Sequence, residues 1–324
     1  RISFFRFAIC FFLLLPSFLC VKSYAFERHL WDEGWRFALH NDDNPHETTF
    51  DDHAWRVLDL PHDWAIEGDF YALNPSGANG GALPGGIGWY RKHLNLNDND
   101  ASSHYVLHFD GAYMNTSVYV NGQLVGMRPY GFISFSCDIT PYLKKQGDNV
   151  VAVKVDNSKQ PNSRWYTGCG IYRHVYLMKS SDIRIEEWGV QALTEVKKGK
   201  GKVSLNTKIE NPSGRSRRVM VHQTLWNKAH QMVSKASKAC QVEAKGATIS
   251  QLLNVNKPQL WSLESPNLYT ITTEIEENGR ILDRDTISIG LRNVAFDVKK
   301  GFFLNGKNIK INGVCLHGDL GCLG

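Results

Sequence analysis

Val203-Ser204-Leu205-Asn206-Thr207-Lys208-Ile209 places an apolar residue at nearly every second position, with polar residues between. Successive side chains of an extended chain point to opposite faces, so this run is a strand that buries one face and wets the other. Tyr269-Thr270-Ile271-Thr272-Thr273-Glu274-Ile275 repeats the pattern. Between these runs the chain is rich in Lys, Ser and Thr and poor in aromatics. Roughly seven such strands fit into about 100 residues, which predicts an immunoglobulin-like sandwich over residues 181–292 with no required disulfide. The run Lys197-Lys198-Gly199-Lys200-Gly201-Lys202 reads as a solvated hairpin tip rather than a nucleic-acid patch.

Towards the N-terminus the texture changes but the periodicity does not become helical. Short strand-like runs alternate with Gly, Asn, Asp and Pro clusters: Trp89 to Leu96, Tyr105 to Phe109, Ser117 to Val120, Val150 to Val155 and His174 to Met178. The sharpest turn signal is Val120-Asn121-Gly122-Gln123, because Asn-Gly supplies the positive φ values of a tight hairpin. Many short strands with long, irregular connections predict a two-sheet jelly roll over residues 26–180. Beyond Asn293, Phe302 to Lys307 reads as a strand and turn, and Ile309 to Leu316 as a largely apolar strand. A lone strand cannot bury both faces, so either it packs on the preceding sandwich or residues 293–324 are the beginning of a third unit of a longer chain. The fold class expected is all-β.

Hydrophobic content of 42% and charged content of 21% are ordinary for a globular protein. Residues 1–25 depart from that average. Arg1 and Arg6 precede and enter an apolar run from Phe7 to Leu19, and Ser23-Tyr24-Ala25 offers small residues for cleavage before Phe26. A signal peptide and export, periplasmic or extracellular, are the expectation. The apolar run is shorter than the roughly 20 residues of a membrane span, which argues against an uncleaved anchor. Taking away the three cations Arg1, Arg6 and Lys22 lowers the net charge from +5 to +2, and no polyanion partner follows from that excess. Cys137, Cys169, Cys240, Cys315 and Cys322 show no metal or redox spacing and read as buried free thiols. His104 and His108 are four apart on a strand without an evident carboxylate partner, so no metal is expected there.

The densest chemistry lies in Ser163-Arg164-Trp165-Tyr166-Thr167-Gly168-Cys169-Gly170-Ile171-Tyr172-Arg173. Arg164 offers a planar fork of donors, Trp165 and Tyr166 offer apolar faces, and Gly168 and Gly170 let the backbone bend. A sugar suits that mixture, since a pyranose carries C–H groups for an aromatic face and hydroxyls that need fixed partners. A β-bulge whose Trp and Tyr merely fill a core is the competing reading.

Six segments stand in order along the chain: Leu60-Pro61-His62-Asp63-Trp64; Gly88-Trp89-Tyr90-Arg91; Phe109-Asp110-Gly111 with Val118 to Gly122; Arg164 to Arg173; Leu260-Trp261-Ser262 with Ser265 to Tyr269; and Gly301 to Lys307. Together they resemble glycoside hydrolase family 2, and its secreted β-galactosidases above all. The resemblance implies a sugar-binding jelly roll, an immunoglobulin-like domain, and then the first strand of a truncated TIM barrel, Ile311 to Leu316, with His317-Gly318-Asp319 as the loop at its end. Gly318 stands where the family usually has a histidine.

Family members are retaining glycosidases whose two reactive glutamates lie on later barrel strands. No catalytic residue is therefore assigned, and the chain alone is expected to be inactive. By the resemblance, Asp63, Arg164, His317 and Asp319 are the candidate substrate-binding residues. Asp63 capping the turn before Trp64, and Arg164 pairing with a carboxylate inside the sandwich, are the alternatives. No cofactor or metal is implied. The partner expected is an oligo- or polysaccharide, with no nucleic acid and no membrane after signal cleavage, and assembly into a homo-oligomer stays open. A secreted carbohydrate-binding or adhesion protein without hydrolase activity is the rival function.

Overall fold

The computed structural model describes residues 27–39, 44–97 and 103–315. The expected signal segment and the tail residues His317 and Asp319 lie outside the described residues. Neighbouring strands pair antiparallel throughout the described residues.

The first sandwich contains β1 (Glu27–Leu30), β2 (Trp35–Leu39), β3 (Arg56–Leu58), β4 (Gly86–Leu96), β5 (His104–Phe109), β6 (Thr116–Val120), β7 (Gln123–Arg128), β8 (Phe135–Asp138), β9 (Gly147–Asn157) and β10 (Val175–Ser180). One sheet has the order β1-β10-β5-β8, the other β3-β2-β4-β9-β6-β7. Their facing side chains, among them Trp35, Tyr90, Leu107, Phe109, Val118, Val153 and Ile171, form one buried core. The hairpin between β6 and β7 turns on Asn121 and Gly122 at φ 49° and 84°, the conformation that Asn-Gly favours.

Strand β4 breaks simple alternation, because Trp89, Tyr90 and Arg91 are all buried. Tyr90 belongs to the inner core, whereas Trp89 packs near His46 and Tyr119. Arg91 is held beneath segment 44–55. Its Nε donates to Asp52 at 2.8 Å, and its Nη atoms donate to the carbonyls of Pro45, Glu47 and Phe50. A buried guanidinium survives only when its donors are satisfied in this way.

The second sandwich contains β11 (Arg184–Lys197), β12 (Lys200–Glu210), β13 (Arg217–Trp226), β14 (Met232–Val242), β15 (Ala247–Asn256), β16 (Tyr269–Glu277) and β17 (Arg280–Ile289). A sheet β11-β12-β15 faces a sheet β14-β13-β16-β17. Two apolar clusters fill the space, one around Ile183, Val221 and Ile275, the other around Leu205, Leu225 and Leu291. Polar side chains run between the sheets as well: the Gln223 amide donates to Thr207 and Thr273 and accepts from Gln251. The lysine-rich tip turns at Lys198 and Gly199, φ 48° and 71°.

Glu187, on the irregular part of β11, reaches back to the first sandwich. Its carboxylate lies 2.6 Å from Nδ1 of buried His108, whose Nε2 lies 3.1 Å from Asp110. His104 likewise meets Asp138 at 3.0 Å. Both histidines thus do have carboxylate neighbours, contrary to the sequence reading: Glu187 and Asp138 come from strands distant in the chain, and Asp110 lies two residues beyond His108. The thiols correct the reading too: Cys137 and Cys169 are buried, but Cys240 is half-buried and Cys315 exposed.

A separate sheet of β18 (Val294–Asp297), β19 (Gly301–Leu304) and β20 (Lys307–Asn308) follows. Asn293 and Asn305 fasten it to the second sandwich through Val196 and Trp261. Residues 309–315 form no strand, against expectation; Ile309 N–H donates to Phe302 O of β19 at 2.9 Å, and the described residues beyond it join no ladder.

Candidate functional site

Two loops of the first sandwich meet at one edge of its core. The first, residues 60–65, follows β3, and the second, residues 163–173, precedes β10. Their backbones pair directly: His62 N–H donates to Ile171 O at 2.8 Å and Trp64 N–H to Cys169 O at 3.1 Å. Gly170 sits at φ 124°, and a Cβ there would collide with the Tyr90 hydroxyl and approach the His62 carbonyl to 2.7 Å. Only glycine allows this close crossing.

Asp63 stitches the two loops together. One carboxylate oxygen accepts from Ala65 N–H at 3.0 Å and Cys169 N–H at 2.9 Å, and the other accepts a short bond from the Tyr166 hydroxyl. Burial pushes its pKa above the ordinary carboxylate value, and these hydrogen bonds oppose the shift. Asp63 therefore caps the turn before Trp64 and anchors the second loop as well.

His62 is a structural partner. Its Nε2 lies 2.9 Å from Arg56 and 3.2 Å from the Glu67 carboxylate, and its Nδ1 lies 2.8 Å from the Tyr90 hydroxyl. Burial lowers its pKa, favouring the neutral imidazole.

Arg164 is exposed on the second loop, outside the sandwich rather than paired within it, and Trp165 beside it is 39% exposed. Tyr166 packs on the core through its ring. Sequence reasoning missed the residues that hold this loop from below. Buried Asn157, at the end of β9, donates to Gly168 O at 3.1 Å and to Cys169 Sγ at 3.0 Å, and accepts from Asn162 at 2.6 Å. The Cys169 thiol, pushed up to about 12 by burial, stays protonated. Asparagine at a strand end gives no signal of such a clasp, since its partners come from a loop folded over it.

The crevice under the second loop, walled by Ala65 and by residues from Ser76 to Pro84, measures only about 10 Å³, room for about one water. The surface here is an open rim, not an enclosed pocket. The rim presents a cation and an aromatic face from a loop with fixed underpinnings.

Models of known families match almost the whole described chain. Residues 30–181 match the sugar binding domain of glycosyl hydrolases family 2, and residues 183–292 match the glycosyl hydrolases family 2 domain. The chain belongs to glycosyl hydrolase family 2. Its family 2 relatives include β-galactosidase BoGH2A of Bacteroides ovatus, 48% identical over 92% of this chain and 35% of the relative. A β-glucuronidase described as putative, from Formosa agariphila, is 36% identical over 91% of this chain and 28% of its own length. Among solved structures, a family 2 member from Bacteroides cellulosilyticus superimposes with a TM-score of 0.87 at 33% identity, covering 92% of this chain and 40% of the other. A β-glycosidase from Bacteroides vulgatus gives 0.85 at 35% identity over 92% and 38%. The chain thus spans about a third of the curated family 2 relatives it matches.

Proposed function

We propose that this chain is the carbohydrate-contacting front part of an exported retaining glycoside hydrolase, with a β-galactoside as the substrate class. The observation that carries this reading is the Arg164-Trp165 loop, which is exposed yet fastened at Asp63 and Asn157 within a domain matching the family's sugar-binding model. An exposed donor and ring on a rigid base suit recognition of a polar ligand with apolar faces. Galactoside is preferred because the relative at 48% identity is a β-galactosidase, whereas the β-glucuronidase relative stands at 36%. Export rests on the pattern of residues 1–25, and the contribution of His317 and Asp319 on the family resemblance.

In this reading Arg164 hydrogen-bonds sugar hydroxyls, Trp165 packs on a pyranose face, and Asp63 holds the loop in register while its half-exposed carboxylate borders the ligand. The two glutamates that would cleave the bond lie outside this chain, so the chain alone binds without hydrolysing. Titration of the purified chain with galactose, followed by ligand-observed NMR, tests the reading. Binding that is abolished by Arg164→Ala with the fold intact is the expected result. Turnover of an aryl β-galactoside by the chain alone, or binding indifferent to Arg164, overturns it.

A further inference from the structure

Six residues, 129–134, join β7 to β8, and three of them expose large apolar side chains: Tyr130 at 57%, Phe132 at 43% and Ile133 at 45%. A connection of this length needs no aromatic residue, and exposed rings draw no stability from the core. Their outward setting is built into the fold. Gly131 between them is buried directly on the ring of Tyr113, where a Cβ would collide with that ring. The Tyr172 hydroxyl donates to Gly131 O at 2.7 Å, and Asn115 N–H donates to Pro129 O at 3.1 Å. With Gly131 clamped from below and the chain fixed at Pro129, the flanking side chains have solvent as their direction.

The two rings stand 5.7 Å apart at 70°, a corner in which a flat-sided ligand rests on one ring and abuts the other. Phe132 is backed by Tyr113 at 4.9 Å. Tyr113 also connects this corner to the rim described above: its backbone pairs with Gly170 in both directions, and its hydroxyl donates to Asn162, two residues before Arg164. The corner and the Arg164 loop therefore share one rigid support.

We propose that Tyr130 and Phe132 form an aromatic platform that stacks a further pyranose unit of a β-linked oligosaccharide whose terminal sugar is held at the Arg164 loop. The proposal rests on the sugar-contacting reading of that loop. The occupant is a carbohydrate because the corner is apolar, carries no charged side chain of its own and lies in the sugar-binding domain, continuous with the loop through Tyr113. Two rings serve a pyranose by covering its C–H faces, leaving its hydroxyls to water at the rim.

The test compares galactose, β-1,4-galactobiose and β-1,4-galactotriose binding to the full chain by ligand-observed NMR and calorimetry. The wild type is expected to prefer the trimer over galactose by about tenfold. Tyr130→Ala and Phe132→Ala each reduce that preference by about two- to tenfold, and Phe132→Trp retains it, with unchanged melting temperature as the check on folding. A trimer that binds no better than galactose, or a preference untouched in both alanine variants, overturns the platform. Loss of trimer binding in Arg164→Ala with the platform variants behaving as wild type places the sugar at the rim alone and also overturns it. Trimer binding that depends on Phe132 but not on Arg164 supports the platform and removes the rim assignment instead. If the exposed rings serve only to pack against another polypeptide, the trimer gains nothing over galactose, and the proposal fails.

Discussion

Replacing Asp63 separates the loop-holding role from any role in ligand contact. In Asp63→Ala, the Ala65 and Cys169 N–H groups lose their shared acceptor, and both residues are almost fully buried, 1% and 3% exposed. An orphaned buried donor costs about 1–3 kcal/mol. The one-water crevice beside Cys169 offsets part of that cost, which leaves about 3 kcal/mol for the local opening of loop 163–170. Hydrogen exchange at the Cys169 amide should then accelerate on the order of a hundredfold. Asp63→Asn behaves differently, because its carbonyl oxygen takes the place of the oxygen that accepts both N–H groups, its amide faces the Tyr166 hydroxyl, and no charge needs burying. It should exchange within about fivefold of the wild type. Exchange mass spectrometry with peptide resolution over residues 163–170 reads both variants. Cys169 exchange in Asp63→Ala within threefold of the wild type would refute the reasoning, and a galactose affinity lost in Asp63→Asn despite normal protection would assign the charge itself to the ligand.

Three further outcomes are expected. Asp283, buried and accepting from Ile185 N–H, has its pKa raised by burial to about 6, so the native state keeps a proton that the unfolded chain releases near pH 4. Its charging should therefore lower stability as pH climbs from about 4 to about 6, by up to about 3 kcal/mol, and urea denaturation of Asp283→Asn should lack that decline. Arg91→Met leaves Asp52 buried with, among the described residues, the weaker partners Arg36 and His93, at 3.5 and 3.6 Å, and should destabilise the first sandwich by about 3 kcal/mol in thermal melts; Arg91→Met with Asp52→Asn should recover part of the loss. Glu187→Ala removes the carboxylate that joins His108 to the second sandwich, and calorimetry should then resolve the unfolding of the two sandwiches into more widely separated transitions than in the wild type.

Much of this molecule is legible in residue order alone, where the governing interactions are local. The alternation of Val203 to Ile209 matches β12, and the Asn121-Gly122 and Lys198-Gly199 turns adopt the positive φ values their residues permit. Strand identity and turn type depend on side-chain direction and backbone sterics within a few residues, so the sequence carries them. Composition also singles out Ser163 to Arg173, but not which of its side chains face solvent: Trp165 reads as a packing residue and stands 39% exposed. What only the tertiary structure decided joins residues far apart in the chain. Asp63 is bound to Cys169, 106 positions away, and His108 to Glu187 on another domain. Arg91 sits buried because segment 44–55 closes over the outer face of β4. Residues 309–315 show the converse, a largely apolar run that reads as a strand and yet joins no ladder beyond one bond from Ile309 N–H to Phe302 O. Burial and hydrogen-bond partnership are set by which surfaces meet once the sheets have stacked, and no pattern within a single segment encodes the other side of that contact.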